Sequence, residues 1–403
     1  MSSTSRQRVV DALHHRQPDL LPIDFASTRS TGINAYAYRA LTEYLGLEEP
    51  IYLFDFKQCL AQPSLKVLEL LGSDCLPLYR QAPSGIPIDR YKEVVMADGK
   101  VYMLPEGYSP QKAADGSEYL YANGIPILKR PSGGMYFDDC FHPLAQVEEE
   151  LPAFPLPKMT AQEKHDLAER AKHLFTTTDK ALVASSGISI FERGIKDWGY
   201  EEFLVRIYTE PELVCRYLEI LTDAYLQFLD DYLDAVGPYV QVIQCNDDLG
   251  MQTGPLIAPK VYQDIFKPFH SRIFEYIHKK APGVSILLHS CGGIFDLIPD
   301  LIDAGVDALN PVQTDAANMD PAALKREFGK DITFWGGGCS TQKTLTFAAP
   351  EEIRKEVYKM AEIFSPGGGF VFNQVHNIQS NISPDRVLTL YRAILEWRET
   401  HRS

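Results

Sequence analysis

The chain has 403 residues, 45% of them hydrophobic and 23% charged, and its 54 acidic against 39 basic side chains give a formal net charge of −15. That surplus argues against general binding to a phosphate backbone, which needs a basic face, and no run approaches the roughly 18 apolar residues of a membrane span. The opening segment "MSSTSRQRVVDALHHRQPD" lacks the apolar centre of a secretory signal, and seven scattered cysteines do not suit a disulfide framework, so a reducing cytoplasmic setting is expected.

In chain order, the opening segment reads as a short amphipathic helix with Val9, Val10, Ala12 and Leu13 on one side. A strand is expected at 20–25, a helix at 35–45 and a second strand at 74–78. From 86 to 142 helical periodicity gives way to β patterning, with hairpins about Asp98-Gly99 and Asn123-Gly124. Six further strands are expected at 181–184, 240–243, 284–288, 306–309, 332–335 and 369–372. Helical patterns fall at 161–175, 211–235, 259–279, 294–304, 350–364 and 384–398. The last begins cleanly, with Ser383 at the N-cap, Pro384 in the first turn and Asp385 near the positive helix end.

Alternating strands and helices imply parallel βαβ units. Eight such units predict an α/β fold of the (β/α)8 TIM-barrel type, with a doubly wound sheet as the alternative. The expected organisation is one barrel domain over 1–403, with 86–142 a β-rich insertion after the second strand. That insertion leaves the face where barrel enzymes carry their active sites, so it reads as a lid, a partner surface or a plain excursion.

The loops that follow the strands are rich in polar, metal-competent residues. They are "ASTRSTG" with Arg29, "SSGISIFERG" with Glu192, "QCNDDLG" with Asp247 and Asp248, "HSCGG" with His289 and Cys291, "NPVQTD" with Gln313, "GGGCSTQ" with Cys339 and "NQVHNIQ" with His376. Histidine and cysteine two residues apart, with a further donor from a later loop, suit zinc, which takes imidazole and thiolate in a tetrahedral shell. His289, Cys291 and Cys339 would make a three-ligand catalytic site, with His376 a competing third ligand or a fourth. Asp247, Asp248 and His376 are the candidate catalytic residues, and Arg29, Glu192 and Gln313 the candidate substrate contacts. The plainer readings are a hydrogen-bonded histidine beside a buried thiol, an Asp247-Asp248 helix cap and a solvated Arg29. There is no P-loop, no G-x-S-x-G elbow and no Rossmann glycine pattern after the first strand.

"HSCGGIFDLIPDLIDAGVDALNPVQ", "FWGGGCSTQ", "FAAPEEIRKEV", "PGGGFVFNQVHNIQSNISPDRVLTLYRA" and the opening "RQRVVDALHHRQPDLLPIDF" resemble the uroporphyrinogen decarboxylase superfamily. The resemblance runs from about Arg6 to Trp397 and is strongest after Pro238. The decarboxylases carry an arginine-rich R-Q-A-G-R loop near the N-terminus, whereas the matching loop here, "FASTRSTGINAY", has one arginine. The chain looks more like the corrinoid-linked methyltransferase branch, whose members have H-x-C after the fifth strand and use zinc there. The resemblance implies zinc on His289 and Cys291, with His376 or Cys339 as third ligand, and a methyl group exchanged with a cobalamin carried by a corrinoid protein. Either a thiol would accept the methyl group from methylcobalamin, or a methoxy compound would donate it; the alternatives are a decarboxylase of a tetrapyrrole or another acid working without metal, and a non-catalytic ligand-binding barrel.

Overall fold

A computed structural model describes residues 3–148 and 150–402; Met1, Ser2 and Glu149, which the expected organisation includes, lie outside the described residues, as does Ser403. Seven strands form one parallel sheet in sequential order: Cys75–Leu78, Ala181–Ser185, Val242–Asn246, Ser285–His289, Ala308–Asn310, Thr333–Trp335 and Phe370–Val371. The eighth stave is the segment around Ile23, which bridges in parallel to Phe372. Phe372 N–H donates to the Pro22 carbonyl at 2.9 Å, and Asp74 N–H donates to the Ile23 carbonyl at 2.6 Å, so the segment joins both edges of the sheet.

The expected continuous strand at 20–25 is therefore reduced to a bridge. Pro22 has no N–H to give a ladder, and the Ile23 N–H is taken by the Asp74 carboxylate at 3.0 Å. The remaining seven expected strands are present, most displaced by one to three residues at their ends.

Side chains alternate along the staves, as a pleated strand requires. Cys75, Val183, Val242, Leu287, Ala308, Trp335 and Val371 form one buried cluster with Val9, Ala12 and Leu13. Their neighbours Leu76, Leu182, Ile243, Ile286, Leu288, Leu309, Phe334 and Phe370 join a second, larger core with the helices. The N-terminal helix Ser5–Leu13 thus packs its apolar side against the first of these clusters, capped by Thr4.

The helices Ala161–Thr177, Pro211–Val236, Pro350–Phe364 and Pro384–Thr400 agree with the periodicity of the sequence. The pattern over 259–279 is instead a turn of helix at Pro259–Val261, a π-turn at Tyr262–Phe266 and a helix at Lys267–Lys280. Five helices are added that periodicity did not expose: Leu65–Leu70, Phe191–Trp198, Tyr200–Thr209, Pro321–Phe328 and Thr344–Phe347.

In the inserted region both hairpins form. Tyr91–Val95 pairs with Val101–Pro105, and Glu118–Ala122 pairs with Ile125–Arg130. The first extends into a four-stranded sheet with Tyr52–Asp55 and Leu60–Gln62, strands that sequence reading left out. The second pairs on its other edge with Asp138–Asp139. No helix among the described residues is long and apolar enough to cross a membrane.

Candidate metal centre

The strand Ser285–His289 delivers His289 to the end of the barrel, and Cys291 follows in a loop with no room for side chains. A Cβ on Gly250 would stand 2.6 Å from the Cys291 carbonyl oxygen, and one on Gly292 would stand 2.4 Å from Gly250. Two backbones therefore meet here, which glycine alone permits. The Cys291 N–H donates to Asp248 at 2.8 Å, and the Gly292 N–H donates to Gln313 at 2.9 Å. The loop is fixed from both sides.

Ligand atoms of His289, Cys291 and His376 all lie within 4.8 Å of one another. Cys291 Sγ is 3.4 Å from His289 Nε2. Donors about a tetrahedral zinc at ~2.0–2.3 Å stand roughly 3.3–3.8 Å apart, so one pair is already at coordination spacing. The tautomer of His289 follows from its neighbours. The Asn310 amide nitrogen donates to the Trp335 carbonyl at 2.9 Å, which leaves its oxygen facing His289 Nδ1 at 2.7 Å. Nδ1 must then carry a proton, which leaves Nε2 as the ring atom available to a metal.

His376 sits in the left-handed backbone region, at φ 62. Its ring lies 5.5 Å from that of His289. A non-glycine residue held there is strained, and such strain gathers at functional sites. Burial, followed by the nearby His289, pushes the His376 imidazole down to about 4, so it is neutral and free to donate a lone pair at neutral pH. Burial and the adjacent Asp248 push the Cys291 thiol up. A bound divalent cation would reverse that shift by replacing the proton. Two imidazoles and a buried thiol fit zinc in number and in chemistry.

Asp248 lies beside this group, 3.7 Å from His289 Nε2 and partly exposed. A cavity of about 310 Å³ opens over His289 and His376 and is shared by Arg29, Lys57, Asp139, Glu192, Lys196 and Asp248. Its floor includes Ser185, Gln244 and Asn246 from the strand ends, which bond in series from Ser185 to Gln244 at 2.8 Å and Gln244 to Asn246 at 2.9 Å. Burial, then Asp248 and Asp247, push the Glu192 carboxyl up to about 8.

Several expected site residues stand elsewhere. Asp247 is fully buried and accepts from the N–H groups of Ile190, Phe191 and Glu192 at 2.9, 2.8 and 2.8 Å, and pairs with His270 Nε2 at 2.8 Å. It caps the helix Phe191–Trp198 rather than facing the cavity, so the capping alternative describes it. Cys339 is buried in the large core, outside the converging donors, with Sγ 3.9 Å from the Ser340 carbonyl. His376 takes the place in the donor group that Cys339 was expected to hold. Gln313 braces Gly292 and Gln252 and does not line the cavity. Arg29 does line it, but is paired with Asp55 at 3.0 Å and donates to the Gln81 carbonyl at 2.6 Å.

Sequence reading passed over Lys57, Asp139, Lys196 and Asn310. Lys57 lies between Tyr52–Asp55 and Leu60–Gln62, strands that sequence reading left out, and Asp139 lies in the short strand Asp138–Asp139 of the inserted region. Lys196 was within reach, because it falls one turn after Glu192 once that stretch is known to be helical.

The fold and the site together define a (β/α)8-barrel protein with a His–Cys–His cluster at one end of its staves. The uroporphyrinogen decarboxylase (URO-D) family model matches residues 189–397, just over half of the chain. The chain belongs to that family. Among curated proteins, the uroporphyrinogen decarboxylase of Hydrogenovibrio crunogenus is 23% identical over 192 residues, 47% of this chain and 50% of the relative. That of Ralstonia pickettii is 29% identical over 189 residues, 46% of this chain and 47% of the relative. The chain thus spans about half the length of the curated relatives it matches. Among solved structures, a methyltransferase from Methanosarcina mazei superposes with a TM-score of 0.60 at 16% identity, covering 98% of this chain and 99% of that one. That likeness extends the shared fold over nearly the whole chain.

Proposed function

We propose that this protein is a zinc-dependent methyltransferase that moves a methyl group between a small substrate, a methoxy compound or a thiol, and a corrinoid carried by a partner protein. The observation that carries the reading is the convergence of His289, Cys291 and His376 within 4.8 Å, in a chain with a single arginine in the loop that follows the first stave. The whole-length likeness to a methyltransferase supports it. Zinc held there would supply a Lewis acid, lowering the pKa of a bound thiol or stabilising negative charge on a leaving oxygen.

The chain's own residues prepare that site. Asn310 holds His289 in the tautomer that presents Nε2. Asp248 holds the Cys291 backbone and lies close enough to His289 to act as a further donor or as a proton acceptor. Glu192, protonated at neutral pH, is available to hydrogen-bond a substrate oxygen. A second reading, decarboxylation of a tetrapyrrole or another acid without metal, is favoured by the names of the curated relatives.

Zinc analysis of the purified protein, combined with methyl transfer to or from free cobalamin, separates the two. The methyltransferase reading expects about one zinc per chain, lost in His289→Ala and Cys291→Ser, and transfer that ceases with it. A protein that holds no zinc, or whose turnover survives both substitutions, would refute it.

A further inference from the structure

The cavity above the cluster has walls of unlike charge. Pro83 and Leu128 are its apolar side chains; nearly all the rest is polar. Of its acids, Asp248 lies close to His289, and Glu192 is held protonated at neutral pH chiefly by burial.

The cations lining it are Arg29, Lys57 and Lys196. Arg29 is already held by Asp55. Lys57 and Lys196 instead share one carboxylate: Asp139 is 2.5 Å from Lys57 Nζ and 3.9 Å from Lys196 Nζ. Asp138 lines the adjoining cavity, which Lys57 and Lys196 also reach, but makes no ion pair with either. Within salt-bridge distance these two ammonium groups share one carboxylate, in a cavity whose acids are Asp55, Asp139, Glu192 and Asp248 and whose cations are Arg29, Lys57 and Lys196. Both lysines stay partly open to solvent, with 33% of the Lys57 side chain and 52% of the Lys196 side chain exposed, so an incoming anion can reach them. The three residues come from separate elements: the loop before Leu60–Gln62, the helix Phe191–Trp198 and the short strand Asp138–Asp139.

We infer that Lys57 and Lys196 form an anion subsite, and that the substrate is a small polar monoanion, such as a short carboxylate, whose methyl-bearing end lies toward His289, Cys291 and His376. The second half rests on the function proposed above; the anion subsite does not. One anionic group would complete the pairing that Asp139 leaves unfinished, through charge-assisted hydrogen bonds from both ammonium groups. The polar walls and the volume, at the lower end of the range of ~300–1,000 Å³ for small-molecule sites, set the substrate's size and character.

The test is a matched pair of probes, methoxyacetate and its neutral isostere methoxyacetamide, titrated into the full-length protein and followed by ligand-observed NMR. The acid is expected to bind about tenfold more tightly than the amide, in keeping with a charge-assisted contact. Lys57→Gln and Lys196→Gln should each bring the two probes close to parity, and raised salt should narrow the gap in the unaltered protein. His289→Ala should keep the preference, because the subsite does not include the cluster. Equal binding of the probes, weaker binding of the acid, or a preference that survives both lysine substitutions would overturn the inference. Should one lysine variant fail to fold, the other variant and the salt dependence decide. A protein that prefers the acid yet neither holds zinc nor transfers methyl groups would keep the subsite and lose the proposed function. A zinc methyltransferase indifferent to the acid would do the reverse.

Discussion

Replacing Asn310 by alanine removes the acceptor that orients His289. The bond it deletes is short, 2.7 Å from Nδ1 to the amide oxygen, and both partners are nearly out of water, at 2% exposure for Asn310 and 7% for His289. Leaving one buried N–H unpaired costs about 1–3 kcal/mol. Loss of such an outer partner to a metal-bound histidine typically weakens metal binding by about 10–100-fold, or about 1.4–2.7 kcal/mol. Low exposure denies water the chance to substitute, so the loss should fall in the upper half of that span. The assay is competition for zinc against a chromophoric chelator, run on the unaltered protein, Asn310→Ala and Asn310→Asp. The aspartate keeps an acceptor for Nδ1 and should retain most of the affinity. Unchanged zinc affinity in Asn310→Ala, or an equal loss in both variants, would refute the tautomer argument.

Asp247→Ala should destabilise the fold by about 3–5 kcal/mol, because it strands three backbone N–H groups at the start of a helix and the His270 imidazole; a urea midpoint nearly equal to that of the unaltered protein would contradict the capping role. His278 is raised above its ordinary value chiefly by its hydrogen bond to Asp307. Its stabilisation should therefore be fully present below about pH 6.5, the unfolded value, and fade as pH climbs through the raised folded value. Thermal melts of His278→Ala should fall below those of the unaltered protein in acid and converge with them at alkaline pH; a constant difference across pH would count against it.

The barrel was legible because seven of its staves are buried on both sides and read as short apolar runs bounded by turn residues, as at "SILLH" and "TFW". The first stave was overestimated, since its proline and the Asp74 side chain replace ladder bonds that a hydrophobic run alone suggests. Phe191–Trp198 escaped notice because its start is made by a distant carboxylate, Asp247, instead of a local cap. At the site, the pairing of His289 with Cys291 is a matter of adjacent sequence. The choice between His376 and Cys339 is not, because it depends on the left-handed turn at His376 and on Cys339 packing into the core. The lysines on the cavity wall were missed because Lys57 follows the unexpected strand Tyr52–Asp55 and Lys196 lies on the helix whose start Asp247 makes.

The most direct measurement is cobalt(II) substitution read by absorption, since a thiolate bound to cobalt gives a charge-transfer band that imidazole and carboxylate ligands do not. A single cobalt ion should bind tightly and show that band, with the band retained in Cys339→Ser, lost in Cys291→Ser, and metal binding weakened in His376→Ala. No tightly bound metal, or a band that disappears with Cys339 and persists without Cys291, would contradict it.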